Sequence, residues 1–177
     1  MKAFYEDLEL EVDSGVYPPR EDTFLLAENI EAEKGEKVLE IGAGCGMLSI
    51  LCSKKGADVV SVDINPKAVE CSRKNAERYD LDIEFKKSNL FEKIDEKFDL
   101  IIFNPPYLPG KREFKEDESL VDSGEIKKFL KEYKNYLKPE GRALLITSSL
   151  TEEKVEGEII AEKKLDFEKL FLYKLEE

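Results

Sequence analysis

Apolar positions along this chain fall into two rhythms, one alternating or near-continuous and one of helical period, and their succession predicts the elements. Between Phe4 and Val16, Leu8, Leu10 and Val12 alternate with acids, which suits a short strand or the edge of a lid. The turn Val16-Tyr17-Pro18-Pro19-Arg20-Glu21-Asp22-Thr23 then feeds a segment in which Leu25, Leu26 and Ile30 recur at helical spacing. Glu21, Asp22 and Thr23 are each candidate caps for that helix. From Lys37 the pattern becomes a βα repeat. Val38 to Ile41 is a short buried strand, Gly42-Ala43-Gly44-Cys45-Gly46 a glycine loop, and Met47 to Lys55 a helix stopped by Gly56. Val59 to Val62 forms the next strand, ending at Asp63. Asn65 can cap the following helix with Pro66 at its first position, and Ala68, Val69, Cys71, Ser72 and Ala76 carry its inner face.

Ile83-Glu84-Phe85 alternates, as an edge strand would, whereas Phe98 to Phe103 is nearly all apolar and therefore central. Residues from Leu108 to Asp122 are polar and charged, too long a stretch for an ordinary connection; such a loop is either disordered or a substrate lid, and the lid is the expectation here. A helix is expected from Gly124 to Leu137, with Ile126, Phe129, Leu130, Tyr133 and Leu137 on one face. Pro139-Glu140-Gly141 should then turn the chain into a fifth buried strand at Ala143 to Ile146. The tail offers a short helix after Thr151. Beyond it, Ile159-Ile160-Ala161 and Phe171-Leu172-Tyr173 are near enough in sequence to form an antiparallel hairpin. No repeat or linker divides residues 1–177, which read as one domain.

Composition narrows the chemistry. A net charge of -12 argues against capture of nucleic acid through its phosphates, because that needs a basic footprint; Lys111, Arg112 and Lys115 are too few to reverse it. A protein or small-molecule substrate fits better. With no histidine, histidine bases and histidine metal sites are excluded, and Cys45, Cys52 and Cys71 lack metal-ligand spacing, so no metal is expected. No apolar run reaches the length of a membrane span and the first residues lack a signal-peptide core, which predicts a cytoplasmic protein.

A strand, a glycine turn, a helix and an acid at the tip of the next strand are the parts of a nucleotide-cofactor site, and Asp63 is placed to meet a ribose. A dinucleotide fingerprint would put a third glycine where Met47 stands; here the spacing is Glu40-x-Gly42-x-Gly44-x-Gly46. A pyrophosphate is repelled by Glu40, while S-adenosylmethionine carries no phosphate and its ammonium and sulfonium charges attract carboxylates. That disfavours a dehydrogenase. Asn89, after the third strand, can both donate to and accept from an adenine edge, or cap a turn.

The remaining motif, Asn104-Pro105-Pro106-Tyr107, follows the central strand, where open α/β sheets place their chemistry. The Asn104 amide and the rigid carbonyls around two prolines could grip a planar NH2 group, and Tyr107 could wall it. Alone, the tetrapeptide also suits a proline-stiffened turn. Together with Glu40-x-Gly42-x-Gly44 and Tyr17 to Thr23 it resembles the HemK family of protein glutamine N5-methyltransferases, in its short archaeal and eukaryotic branch.

The resemblance covers roughly residues 12 to 176 and implies a class I methyltransferase Rossmann-like α/β fold. That fold has a seven-stranded mostly parallel sheet, a C-terminal antiparallel hairpin and helices on both faces. It implies methylation of the glutamine amide in the Gly-Gly-Gln motif of a translation release factor, with a small zinc-binding activator subunit beside the third-strand edge. It also implies roles: Asn104, Pro105, Pro106 and Tyr107 for the substrate amide, Tyr17 and Thr23 bordering the cofactor, Glu40, Gly42 and Gly44 at its methionine part, Asp63 at its ribose. Where the family often carries Asp, this chain has Asn89. The alternatives are a protein lysine methyltransferase, an adenine N6 methyltransferase of nucleic acid and a non-catalytic cofactor-binding subunit.

Overall fold

The computed structural model describes residues 1–108 and 122–176. Its main sheet has seven strands in the order β5-β4-β3-β6-β7-β9-β8. Five are parallel: β3 (Lys37–Ile41), β4 (Asp58–Asp63), β5 (Glu84–Lys87), β6 (Phe98–Phe103) and β7 (Leu137–Ser148). β8 (Glu158–Lys164) and β9 (Lys169–Leu175) form the expected antiparallel hairpin, and β9 lies between β7 and β8. The apolar run of β6 is why that strand is central: Phe98, Leu100, Ile101 and Ile102 are fully buried and only neighbours on both edges and both faces could do that.

Helices α2 (Met47–Lys54) and α3 (Pro66–Glu77) follow β3 and β4, and α4 (Glu125–Glu132) precedes β7. Right-handed crossovers place α2 and α3 on one face and α4 on the other. Phe129 of α4 packs against Phe91 and Phe103 with ring centroids 5.8 and 5.0 Å apart. Asn65 caps α3 as the sequence predicts, its side chain accepting from the Lys67 amide at 3.0 Å with Pro66 at the first position. Because the chain winds outward from β3 through β4 to β5 and then returns to β6, the carboxyl ends of β3 and β6 flank a topological switch point.

Several expectations are revised. The alternating segment supplies a short strand, β2 (Leu8–Glu11), with Leu8 and Leu10 buried, and it pairs with β1 (Lys2–Tyr5) in a separate two-stranded sheet. The helix α1 spans Glu21–Asn29, but none of Glu21, Asp22 or Thr23 caps it: Arg20 holds the cap position in extended backbone without a side-chain bond. The helix expected to reach Leu137 ends at Glu132 and tightens into a 3-10 turn over Tyr133–Tyr136, because Leu137 already pairs with Phe98 in the sheet.

Pro139-Glu140-Gly141 does not end an element. It bulges within β7, with Glu140 at φ 64° and Gly141 so close that a Cβ there would lie 2.9 Å from the Phe98 carbonyl. No helix forms after Thr151: Val155 is its one apolar residue before Gly157, too little to bury a face. The predicted lid falls almost wholly on residues 109–121, outside the described residues. Among the described residues no helix is long and apolar enough to cross a membrane.

Candidate active site

A cleft of about 670 Å3 opens at the switch point. It is lined by Tyr17, Arg20, Asp22 and Thr23 from the approach to α1, by Glu40, Gly42 and Gly44, by Asp63 and Asn89, and by Asn104, Pro105 and Pro106. Ten of the eleven residues singled out in the sequence therefore meet around one space. Tyr107 does not line it.

The glycine loop is shaped by close approach. Its three glycines have φ of 84°, 52° and 86°, a region that side-chain-bearing residues rarely adopt. The Gly42 and Ala43 amides both donate to the Val62 carbonyl, at 2.8 and 3.1 Å, which ties the loop across to β4. Gly46 must also be small for another reason: a Cβ there would sit 2.9 Å from Ser72 Cβ on α3. At Gly42 and Gly44 the nearest atoms to such a Cβ are the Asn104 and Tyr17 carbonyls, each at 3.7 Å, so both glycines face the cleft between the two other motifs.

The acids of this half are already engaged. Glu40 is buried, and its Oε2 accepts from the Ser49 amide at 3.1 Å, from the Ser49 hydroxyl, and from the Ser61 hydroxyl at 3.2 Å. Burial pushes its carboxyl up to about 8, against the lowering effect of those hydrogen bonds. Asp63 accepts from the Gly44 amide at 3.1 Å and the Asn65 amide at 2.8 Å, and burial raises it too. Asn89 lines the cleft, and its Nδ2 donates to Glu92 at 3.0 Å.

The other half hangs on Asp22, which the sequence reading named only as a candidate cap. Its side chain is buried. One oxygen accepts from the hydroxyls of Tyr17 at 2.9 Å and Tyr107 at 3.3 Å; the other accepts from the Thr23 amide at 2.6 Å and hydroxyl at 3.2 Å. The Thr23 hydroxyl in turn receives Asn104 Nδ2 at 3.4 Å. Burial first, then the Asp22 charge, raises both phenols well above the usual tyrosine range, so they stay protonated and donate.

Tyr107 is buried, and it anchors the end of the tetrapeptide: its hydroxyl donates to Asp22 and its carbonyl accepts from Thr151 Oγ1 at 3.1 Å. With its nitrogen held by Thr23, Asn104 is left with a buried Oδ1 that has no donor. An orphaned acceptor beside a cleft is a place where a ligand's N-H can be received. In the sequence Asp22 has only Tyr17 and Thr23 nearby, in a short segment rich in acids that looks like a helix start, and its bond to Tyr107 joins residues far apart along the chain.

Residues 9–165 match the methyltransferase small domain family. A Methanocaldococcus jannaschii protein provisionally named as a protein N5-glutamine methyltransferase is 41% identical, over 94% of each chain. A release factor glutamine methyltransferase of Lactococcus lactis is 35% identical over 67% of this chain, which spans only 46% of that longer protein. Among solved structures, the Thermus thermophilus 16S rRNA N2 G1207 methyltransferase, in complex with AdoMet and guanosine, superposes with a TM-score of 0.71. It is 22% identical, with 98% of this chain and 49% of that one covered, a likeness of fold. The chain belongs to the methyltransferase small domain family and, within it, to the HemK type whose motifs surround its cleft.

Proposed function

We propose that this chain methylates the side-chain amide nitrogen of a glutamine, using S-adenosylmethionine, and that the glutamine is the one in the Gly-Gly-Gln motif of a class I translation release factor. The observation that carries the reading is Asn104 Oδ1, a buried acceptor with no donor, positioned by Thr23 at the cleft. The names of the relatives support the same substrate class.

The residues of the cleft fit the cofactor. Gly42 and Gly44 leave space that a Cβ would occupy, and the acids Glu40 and Asp63 suit a cationic, phosphate-free ligand. S-adenosylmethionine, when bound, supplies a methyl group made transferable by the positive sulfur that carries it. Glu40, Gly42 and Gly44 would hold its methionine part, Asp63 its ribose and Asn89 its adenine edge, with Tyr17 and Thr23 bordering it.

The protein's own task is to orient a weak nucleophile. An amide nitrogen has its lone pair delocalised into the carbonyl. Asn104 Oδ1 and the Pro105 carbonyl, both accepting, can take its two N-H groups, which fixes the amide plane and returns electron density to nitrogen. Orientation of this kind can contribute several kcal/mol to lowering the barrier, about 7 or more in favourable cases. No base of matched pKa is required before transfer: as the N-CH3 bond forms and the S-CH3 bond breaks with its electron pair staying on sulfur, the methylated nitrogen becomes acidic and gives up one proton to water, while the Tyr17 and Tyr107 phenols are held protonated. Pro105 and Pro106 keep the frame stiff and Tyr107 keeps it in place.

The test is incubation with methyl-labelled S-adenosylmethionine and a release factor, intact or with its Gly-Gly-Gln glutamine substituted. Label should enter only the intact factor; label in a lysine, or in adenine of added nucleic acid, would overturn the reading. A small zinc-binding activator subunit would sit beside β5, the strand at one end of the sheet among the described residues. Co-expression should then raise specific activity, and full activity of the lone chain would count against that partner.

A further inference from the structure

The walls of the cleft are charged almost wholly one way. Four acids line it, Asp22, Glu40, Asp63 and Glu125, and among the described residues Arg20 is the single cation that does so. S-adenosylmethionine and its demethylated product carry, beside their ammonium, an amino-acid carboxylate, which ionised acids repel. That carboxylate needs donors, and the neutral ones are largely spent. In the glycine loop the Gly42 and Ala43 amides both donate to the Val62 carbonyl, the Gly44 amide to Asp63 and the Gly46 amide to the Ala43 carbonyl. Facing the loop, the Thr23 amide and hydroxyl and the Tyr17 hydroxyl donate to Asp22, and Asn104 Nδ2 donates to Thr23.

Arg20 is differently placed. It holds the cap position of α1 in extended backbone, and its exposed side chain lines the cleft with the guanidinium carbon 5.7 Å from the centroid of the Tyr17 ring. Among the described residues no carboxylate lies within ion-pair distance of it. Burial and Asp22 raise the phenols of Tyr17 and Tyr107, and the Arg20 charge opposes them at each, so it acts on both from close by. The Tyr17 carbonyl, in turn, is 3.7 Å from where a Gly44 Cβ would stand, which joins this turn to the loop at the cofactor's methionine end. A guanidinium held over an aromatic face keeps its N-H fork available, and that fork matches a carboxylate.

We propose that Arg20 receives the amino-acid carboxylate of the cofactor, and so selects a ligand carrying both charges of a free amino acid over one that carries the ammonium alone. This rests on the S-adenosylmethionine reading above. No bond is made or broken in this role. The guanidinium supplies a charge-assisted contact that the acids around it cannot.

The experiment is calorimetry with two probes, S-adenosylhomocysteine and its decarboxylated analogue S-adenosyl-3-thiopropylamine, which differ only in the carboxylate. Wild type should bind the first about tenfold more tightly, in the range of a hydrogen bond to a charged group. Arg20→Gln should lose about tenfold for S-adenosylhomocysteine and stay within about twofold for the analogue, so that the preference disappears. Arg20→Lys, which keeps the charge and loses the fork, should retain part of it. Added salt should shrink the wild-type preference, because the cation is exposed. For the same reason Tm should move by no more than about 2 °C in either variant. Equal losses for the two probes, or none for either, would overturn the inference; in the second case a fall in kcat/KM on the release factor would place Arg20 at the polypeptide instead. Failure of wild type to bind S-adenosylhomocysteine would remove the cofactor reading, and this inference with it.

Discussion

The two halves of the cleft are built on opposite plans. Around the glycine loop every acid is already satisfied from within: Glu40 by Ser49 and Ser61, Asp63 by the Gly44 and Asn65 amides. Around the tetrapeptide, Asp22 gathers four donors so that a neighbouring acceptor, Asn104 Oδ1, is left with none. A ligand entering the first half must exchange its own hydrogen bonds for internal ones. A ligand entering the second meets an acceptor that is already oriented and unpaired. The first arrangement favours reversible binding of a recurring cofactor, the second favours orientation of one chemical group.

That contrast can be broken from the clamp side first. Asn104→Ala should lower methyl transfer by about 10²-fold or more, the scale on which lost orientation and charge stabilisation act, while cofactor affinity stays near wild type. Transfer assays and calorimetry on the same preparation separate the two, and intact transfer would sink the clamp. Asp22→Asn should be next in size, and should touch both stability and rate. Asparagine offers one acceptor where the carboxylate offers two, leaving Tyr17, Tyr107 or Thr23 without a partner, at about 2 kcal/mol of folding stability by thermal melts. Asp63→Ala should act on the other half alone, weakening cofactor binding about tenfold, with the residual rate at saturating cofactor little changed.

The smallest effect is expected in pH dependence. The Glu40 carboxyl stands at about 8 in the folded chain against an ordinary 4.5, so the folded state holds a proton that the unfolded chain has lost. Stability from this group is therefore full below about 4.5 and is lost as pH rises through about 8. A cationic ligand beside Glu40 favours its ionised form, so affinity for S-adenosylhomocysteine, which keeps the ammonium, should rise from pH 6.5 towards 8.5 in wild type. Glu40→Gln should flatten both profiles, and a wild-type profile that is already flat would remove Glu40 from contact with the cofactor's charge.

Much of this was legible because it is local. The near-continuous run of β6, the Asn65-Pro66 start of α3 and the glycine loop each declare themselves within a few residues, and the chain places them as read. What was missed depends on distant partners. Leu137 has the right spacing to continue the α4 face, yet its backbone is claimed by Phe98 in the sheet. β1 shows no fully buried position, so nothing in Lys2–Tyr5 announces a strand until β2 pairs with it. Asp22 looked like a cap because one of its partners, the Tyr107 hydroxyl, lies 85 residues away. The position of β9 between β7 and β8 likewise follows from packing, since both tail strands carry apolar residues and proximity alone pairs them only with each other.

The lone oxygen of Asn104 also sets what the site must refuse. A glutamate in place of the target glutamine presents two acceptors and no donor, so Asn104 Oδ1 and the Pro105 carbonyl would each face another oxygen. Sites built to receive an N-H reject such analogues by about 10⁴-fold, without any proofreading step. Deamidation of the target by a single atom exchange would therefore place it permanently beyond modification, so the clamp acts as a reader of amide integrity as well as a holder of the amide.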